Sequence, residues 1–114
     1  MKIIVTGGRN YTDFNKMKTV LDKFENIEKI ITGGASGADN LAKIYAKENN
    51  ITYEEYVAKW DEYGKAAGPI RNYQMCSSNT DATVIVFPGG NGTKHCEKIA
   101  NKFGMDVEVI DADS

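Results

Sequence analysis

Apolar positions in this chain switch repeatedly between a period of two or less and a helical period. Lys2 to Thr6 is a short β-branched run that Gly7-Gly8 stops, as a strand ends. Phe14, Met17, Val20, Leu21 and Phe24 recur at helical spacing, and Thr12 or Asp13 is placed to cap that helix. Lys29 to Thr32 reads as a second strand closed by Gly33-Gly34. Leu41, Ala42, Tyr45 and Ala46 mark a second helix. Thr52 to Val57 alternates and predicts a third strand. Ala58 to Ala67 has no clear period and reads as a loop or irregular turn. Gly68-Pro69 opens a third helix, since proline suits the first helical position. Ala82 to Phe87 is the most strand-like run of all. The last helix carries Cys96, Ile99, Ala100 and Phe103, with Gly104 as its terminator, and Val107 to Ile110 is the final strand.

Strands alternating with helices predict one α/β domain over residues 1–114, a Rossmann-like, mostly parallel five-stranded sheet with helices on both faces. That topology has a consequence for chemistry. Every loop from a strand into the following helix leaves the sheet at its carboxyl edge, where open α/β sheets bind ligands. The glycine clusters fall in such loops: Thr6-Gly7-Gly8-Arg9, then Thr32 to Asp39, then Pro88-Gly89-Gly90-Asn91-Gly92-Thr93. A glycine turn running into a helix offers unpaired amides and the positive end of the dipole to an anion. Three at one edge point to a pocket for a phosphate-bearing ligand. No Walker sequence and no G-x-G-x-x-G fingerprint occurs, so ordinary ATPase and dinucleotide readings lose support.

Composition narrows the class. The chain is 41% hydrophobic and 26% charged, which suits a globular domain. No run approaches the roughly 18 apolar residues of a membrane span, so a soluble, cytoplasmic protein without a membrane partner is expected. Fourteen basic against sixteen acidic residues leave a net charge of −2, which argues against a nucleic-acid partner. Cys76 and Cys96 read as free thiols of a reducing compartment. His95 beside Cys96 is too little for zinc, so neither metal nor cofactor is expected.

Four motifs occur in order: GGRNYTD (7–13), GGASGAD (33–39), GKAAGPIRNYQM (64–75) and FPGGNGT (87–93). Together they resemble the SLOG superfamily, most closely its small YspA/YpsA-related branch found in bacteria and phages. The resemblance implies a Rossmann-like domain that binds nucleotides or molecules derived from them. The wider superfamily includes cytokinin-activating phosphoribohydrolases, the DNA-processing protein DprA and sensors of cyclic ADP-ribose-like signals. Its enzymes carry P-G-G-x-G-T-x-x-E, whose glutamate works with an upstream arginine on the base–ribose bond. Here Pro88 to Thr93 and Arg71 match, but Cys96 stands at the glutamate position and Glu97 is one residue on, about 100° around a helix. Hydrolysis is therefore in doubt, and no catalytic residue is expected unless Arg71 and Glu97 serve one.

The expected ligand-binding set is Gly7, Gly8, Arg9, Gly33, Gly34, Ala35, Gly37, Asp39, Lys65, Arg71, Asn72, Pro88, Gly89, Gly90, Asn91, Gly92 and Thr93. Arg71 and Arg9 are candidate phosphate clamps, the alternative being solvated charges. Asp39 either accepts a ribose hydroxyl or simply favours its helix start. Thr93 either bonds a phosphate or caps its helix. Lys65 is a candidate reach onto phosphate, and Tyr11 a candidate wall. Trp60 is expected to anchor its loop on the core, with base stacking as the alternative. Three functions follow in order: a module that senses, carries or sequesters a nucleotide-derived molecule, a nucleoside 5′-monophosphate hydrolase, and a DprA-like protein. Relatives often pair, so a homodimer is expected.

Overall fold

Five parallel strands in the order β3-β2-β1-β4-β5 form the centre of the computed structural model, which describes residues 1–112. They are β1 Lys2–Thr6, β2 Lys29–Thr32, β3 Thr52–Glu55, β4 Thr83–Val86 and β5 Asp106–Val109. Helices α1 Phe14–Leu21, α2 Ala38–Glu48, α3 Trp60–Tyr63, α4 Ala67–Ser77 and α5 Asn91–Lys102 connect them. In register, Ile3 of β1 pairs with Ile30 of β2, and Ile4 pairs with Val84 of β4.

Strand period two divides the apolar residues between two cores. Ile3, Val5, Ile30, Ile85 and Phe87 pack with Met17, Val20 and Leu21 of α1 and with Ala42, Tyr45 and Ala46 of α2. Ile4, Ile31, Val84 and Val86 pack on the other face with Met75 and Cys76 of α4 and Cys96 and Ala100 of α5. The central strands are covered on both sides, so they read as continuous apolar runs; β3 and β5 lie at the edges and are more exposed.

Several boundaries differ from the sequence reading. The first helix stops at Leu21, because the amides of Lys23 and Phe24 turn back to Val20 and Leu21 three residues earlier. Phe24 still packs against the core from that turn. Asp13 is its cap, accepting the Lys16 amide at 3.0 Å. Within Ala58 to Ala67, read as a loop or irregular turn, Ala58 and Lys59 are irregular, but α3 and a 3₁₀ turn over Gly64–Ala66 then run straight into α4. Four-residue helical pieces carry no readable period, so the sequence could not announce them. Proline 69 lies third in α4, within the first turn, where its missing amide breaks no ladder bond.

Chain direction reverses about β1. The chain steps outward through β2 and β3, then crosses to β4 on the other side of β1 and out to β5. The carboxyl ends of β1 and β4 therefore flank a topological switch point, where loops diverge and leave a crevice.

Candidate functional site

The glycine turns meet above that switch point and lock together. The Gly8 amide donates to Pro88 O at 2.8 Å, and the Ala38 amide donates to Gly8 O at 3.1 Å. Gly37 has φ +72°, and a Cβ there would run into the carbonyls of Gly8 and Arg9. A Cβ on Gly89 would strike the Thr93 hydroxyl and approach the Gly8 amide to 2.7 Å. These two glycines let three loops share backbone contacts no other residue permits. Gly90 and Gly92 are different: a Cβ on either meets nothing within 4 Å, and Gly90 has an ordinary φ of −100°.

The result is a cleft of about 1010 Å³, near the upper end of the roughly 300–1,000 Å³ common for small-molecule sites. Of the expected residues, it gathers Gly7, Gly8, Arg9, Gly33, Gly34, Ala35, Asp39, Arg71, Asn72, Gly90, Asn91, Gly92 and Thr93. Gly37, Pro88 and Gly89 stand behind the wall as parts of the interlock. Lys65 is exposed on the 3₁₀ turn and does not line the cleft. Tyr11 also stays out of it, its ring tilted against Phe87 at a centroid distance of 5.3 Å.

Trp60 reverses its expected role. It is 50% exposed, not buried, and lines the cleft with Val57, itself 65% exposed, and Pro69. Starting a helical turn at Trp60 turns the ring away from the core and over Gly68, whose absent side chain leaves it room. His95 is another lining residue that the sequence reading did not place in the site. Its signal was present: it sits three positions after Gly92, on the same face of α5.

Arg71 reaches into the cleft from α4 but is already employed. Its Nη1 donates to Gly33 O at 2.7 Å, and its Nε donates to Asn72 Oδ1 at 2.9 Å. A Cβ on Gly33 would collide with the guanidinium, so this glycine makes the seat for the arginine. Asp39, only 6% exposed, accepts the Ala35 amide at 3.1 Å. Burial pushes its carboxyl up to about 6, against the pull of the Ala35 amide and the nearby Arg71.

The start of α5 presents the most open donors. Its ladder begins with the Lys94 amide on Gly90 O at 3.1 Å, so the amides of Asn91, Gly92 and Thr93 precede it. No side chain caps this end and no acidic residue occupies its first turn. Thr93 is 7% exposed, and its hydroxyl bonds no other described residue.

Cys96 points away from the cleft into the core and is fully buried, while Glu97 does not line the cleft. Cys96 and Cys76 are free thiols, and the neighbouring Cys76 sulfur together with burial pushes the Cys96 thiol up. Among the described residues, no three potential ligands cluster to hold a metal ion, and no helix is long and apolar enough to cross a membrane.

Two comparisons with known proteins place the chain in a family. The model of the YspA, cpYpsA-related SLOG family matches residues 1–63, which hold the first two glycine turns and β1 to β3. The chain is also 32% identical to the Gene 61 protein of Mycobacterium phage D29 over 117 aligned residues, covering 93% of each chain. The parallel sheet, the interlocked turns and these two matches make the chain a member of the YspA, cpYpsA-related SLOG family.

Proposed function

We propose that the protein is a binding module for a phosphate-bearing, nucleotide-derived small molecule held in the cleft between the glycine turns. The observation that carries this reading is the uncapped start of α5, which opens on the cleft with three free amides and no acidic residue of its own. A phosphate there completes the helix end electrostatically. The Thr93 hydroxyl adds a donor, and Arg71 stands across the cleft as a fixed positive charge. Asp39 is the one carboxylate among the described lining residues and suits a ribose hydroxyl. Trp60, Val57 and Pro69 offer an apolar wall against which a base can lie.

Binding without turnover fits the site better than N-glycosidic hydrolysis. The enzymes' glutamate position is filled by Cys96, which is core, and its neighbour Glu97 is off the cleft. Oxocarbenium-like charge would find no carboxylate on that wall. The two buried free thiols fit a reducing, intracellular setting.

Mass spectrometry of small molecules released from the natively purified protein tests the reading. A phosphate-bearing nucleotide derivative is expected from the wild type and none from Gly90→Val, with both proteins folded. Valine finds open space at Gly90 but is a poorer helix N-cap than glycine, so a stability loss of about 0.5–2 kcal/mol is expected, too little to unfold the domain. Equal ligand content in the two proteins would move the site away from α5.

A further inference from the structure

His95 is the sole histidine of the chain, and the residues around it fix which of its ring nitrogens carries the proton. The Arg71 guanidinium has only donors, so the Asn72 atom 2.9 Å from its Nε is the amide oxygen. The other end of the Asn72 amide is therefore the donor. It faces Gly92 O, which only accepts, at 3.4 Å, and this second contact requires the same orientation. The same Nδ2 lies 3.2 Å from His95 Nδ1. Nδ1 must then accept, and the neutral ring carries its hydrogen on Nε2. Asn72 is 4% exposed, so water does not readily compete for these bonds.

From this chain of bonds we infer that His95 is a ligand-binding residue, set by Arg71 and Asn72 as an Nε2–H donor to a phosphoryl oxygen of the bound molecule. Nδ1 is occupied by Asn72, so Nε2 is the ring nitrogen left to the cleft that His95 lines. The donor stands on α5 one turn beyond the free amides of Asn91 to Thr93. An anionic oxygen at that helix start is thus met by backbone amides and by a neutral side-chain donor. Asn72 acts as a positioning residue: its amide is taken up by Arg71, Gly92 O and the ring. Arg71 holds Asn72 in turn, so the arginine contributes to recognition through its Nε even where its own charge makes no contact. The inference rests on the cleft being the ligand site.

Two measurements separate the inference from that premise. Ring ¹⁵N shifts of the sole histidine in the ligand-free protein report its tautomer directly. The Nε2–H form is expected in the wild type at a pH where the ring is neutral. Asn72→Asp keeps the acceptor for Arg71 Nε but replaces the donor facing His95 by an oxygen, so the ring should change to the Nδ1–H form. Titration with adenosine 5′-monophosphate then reads the consequence. His95→Ala should weaken this probe about ten- to hundredfold, the worth of a hydrogen bond to a charged group, while the melting temperature stays close to that of the wild type. A wild-type ring in the Nδ1–H form would overturn the inference whatever happens to Asn72→Asp. So would wild-type binding of the probe with undiminished affinity in His95→Ala, and there the cleft would stand as the site. If neither adenosine 5′-monophosphate, ADP-ribose nor inorganic phosphate moves the resonance of any cleft residue, the ligand site and the role of His95 fall together.

Discussion

Two helices aim their N-termini at the same cleft, and they arrive in opposite electrostatic conditions. α2, though no side chain caps it either, comes with its first amide already bonded and an acid in its first turn. Its Ala38 amide is given to Gly8 O, Asp39 supplies an acidic group in the first turn, and the Asp39 carboxyl takes the Ala35 amide. α5 comes with no capping side chain, no acid and two glycines that leave the approach clear. Both follow strands through similar glycine motifs, yet in the proposed reading the GGASGAD turn is mostly architecture and the PGGNGT turn mostly receptor. A glycine motif before a helix therefore does not by itself identify an anion site; what the next turn of the helix already holds decides it.

Breaking the interlock should produce the largest effect. Gly37→Ala forces a Cβ at φ +72° against two carbonyls of the first turn. It should destabilise the domain by about 2–4 kcal/mol in urea unfolding, as strain and overpacking together. Unchanged stability would mean that the turns do not depend on one another.

Arg71→Ala comes next. Its guanidinium joins α4 to Gly33 and orients Asn72, so its loss leaves Gly33 O and Asn72 Oδ1 without their partner. We expect a loss of about 1.5–3 kcal/mol of stability in addition to weaker ligand binding. Loss of binding with an unaltered melting curve would make Arg71 a free clamp and not a strut.

Asp39→Asn sharpens the comparison through pH. The folded carboxyl keeps its proton up to about pH 6, whereas the ordinary value is 3.8. Between these values the folded state binds more protons than the unfolded one, so this group makes stability fall as pH rises. The full penalty, up to about 3 kcal/mol at 1.36 kcal/mol per unit, persists above pH 6. Unfolding free energies across pH 3.5–7 should decline less steeply in Asp39→Asn than in the wild type. Parallel curves would show that Asp39 is an ordinary, solvated carboxylate.

Much of the frame was legible because burial and period coincide. The runs Lys2–Thr6 and Lys29–Thr32 became strands with those bounds, and Asp13 capped α1 as its position suggested. The edge of the sheet carrying the glycine loops followed from topology alone. Misread parts share a different cause, since their roles depend on contacts distant in sequence. Trp60 looks like core in any composition-based reading, and only the turn over 60–63 brings it to the cleft. Lys65 sits in a flexible-looking motif, but the 3₁₀ turn carries it outward. His95 was passed over as a metal ligand without companions, because its partner Asn72 lies 23 residues away on another helix. Gly90 illustrates the limit of glycine as a signal: its φ is unremarkable, and its value is the space it leaves.

The central claim is that α5, and not α2, receives the ligand's phosphate. Backbone amide shifts of ¹⁵N-labelled protein titrated with adenosine 5′-monophosphate test it most directly. The account predicts saturable changes that are largest at Asn91, Gly92 and Thr93 and small at Ala38, Asp39 and Asn40. Changes concentrated at the start of α2 with those of α5 unmoved would contradict it.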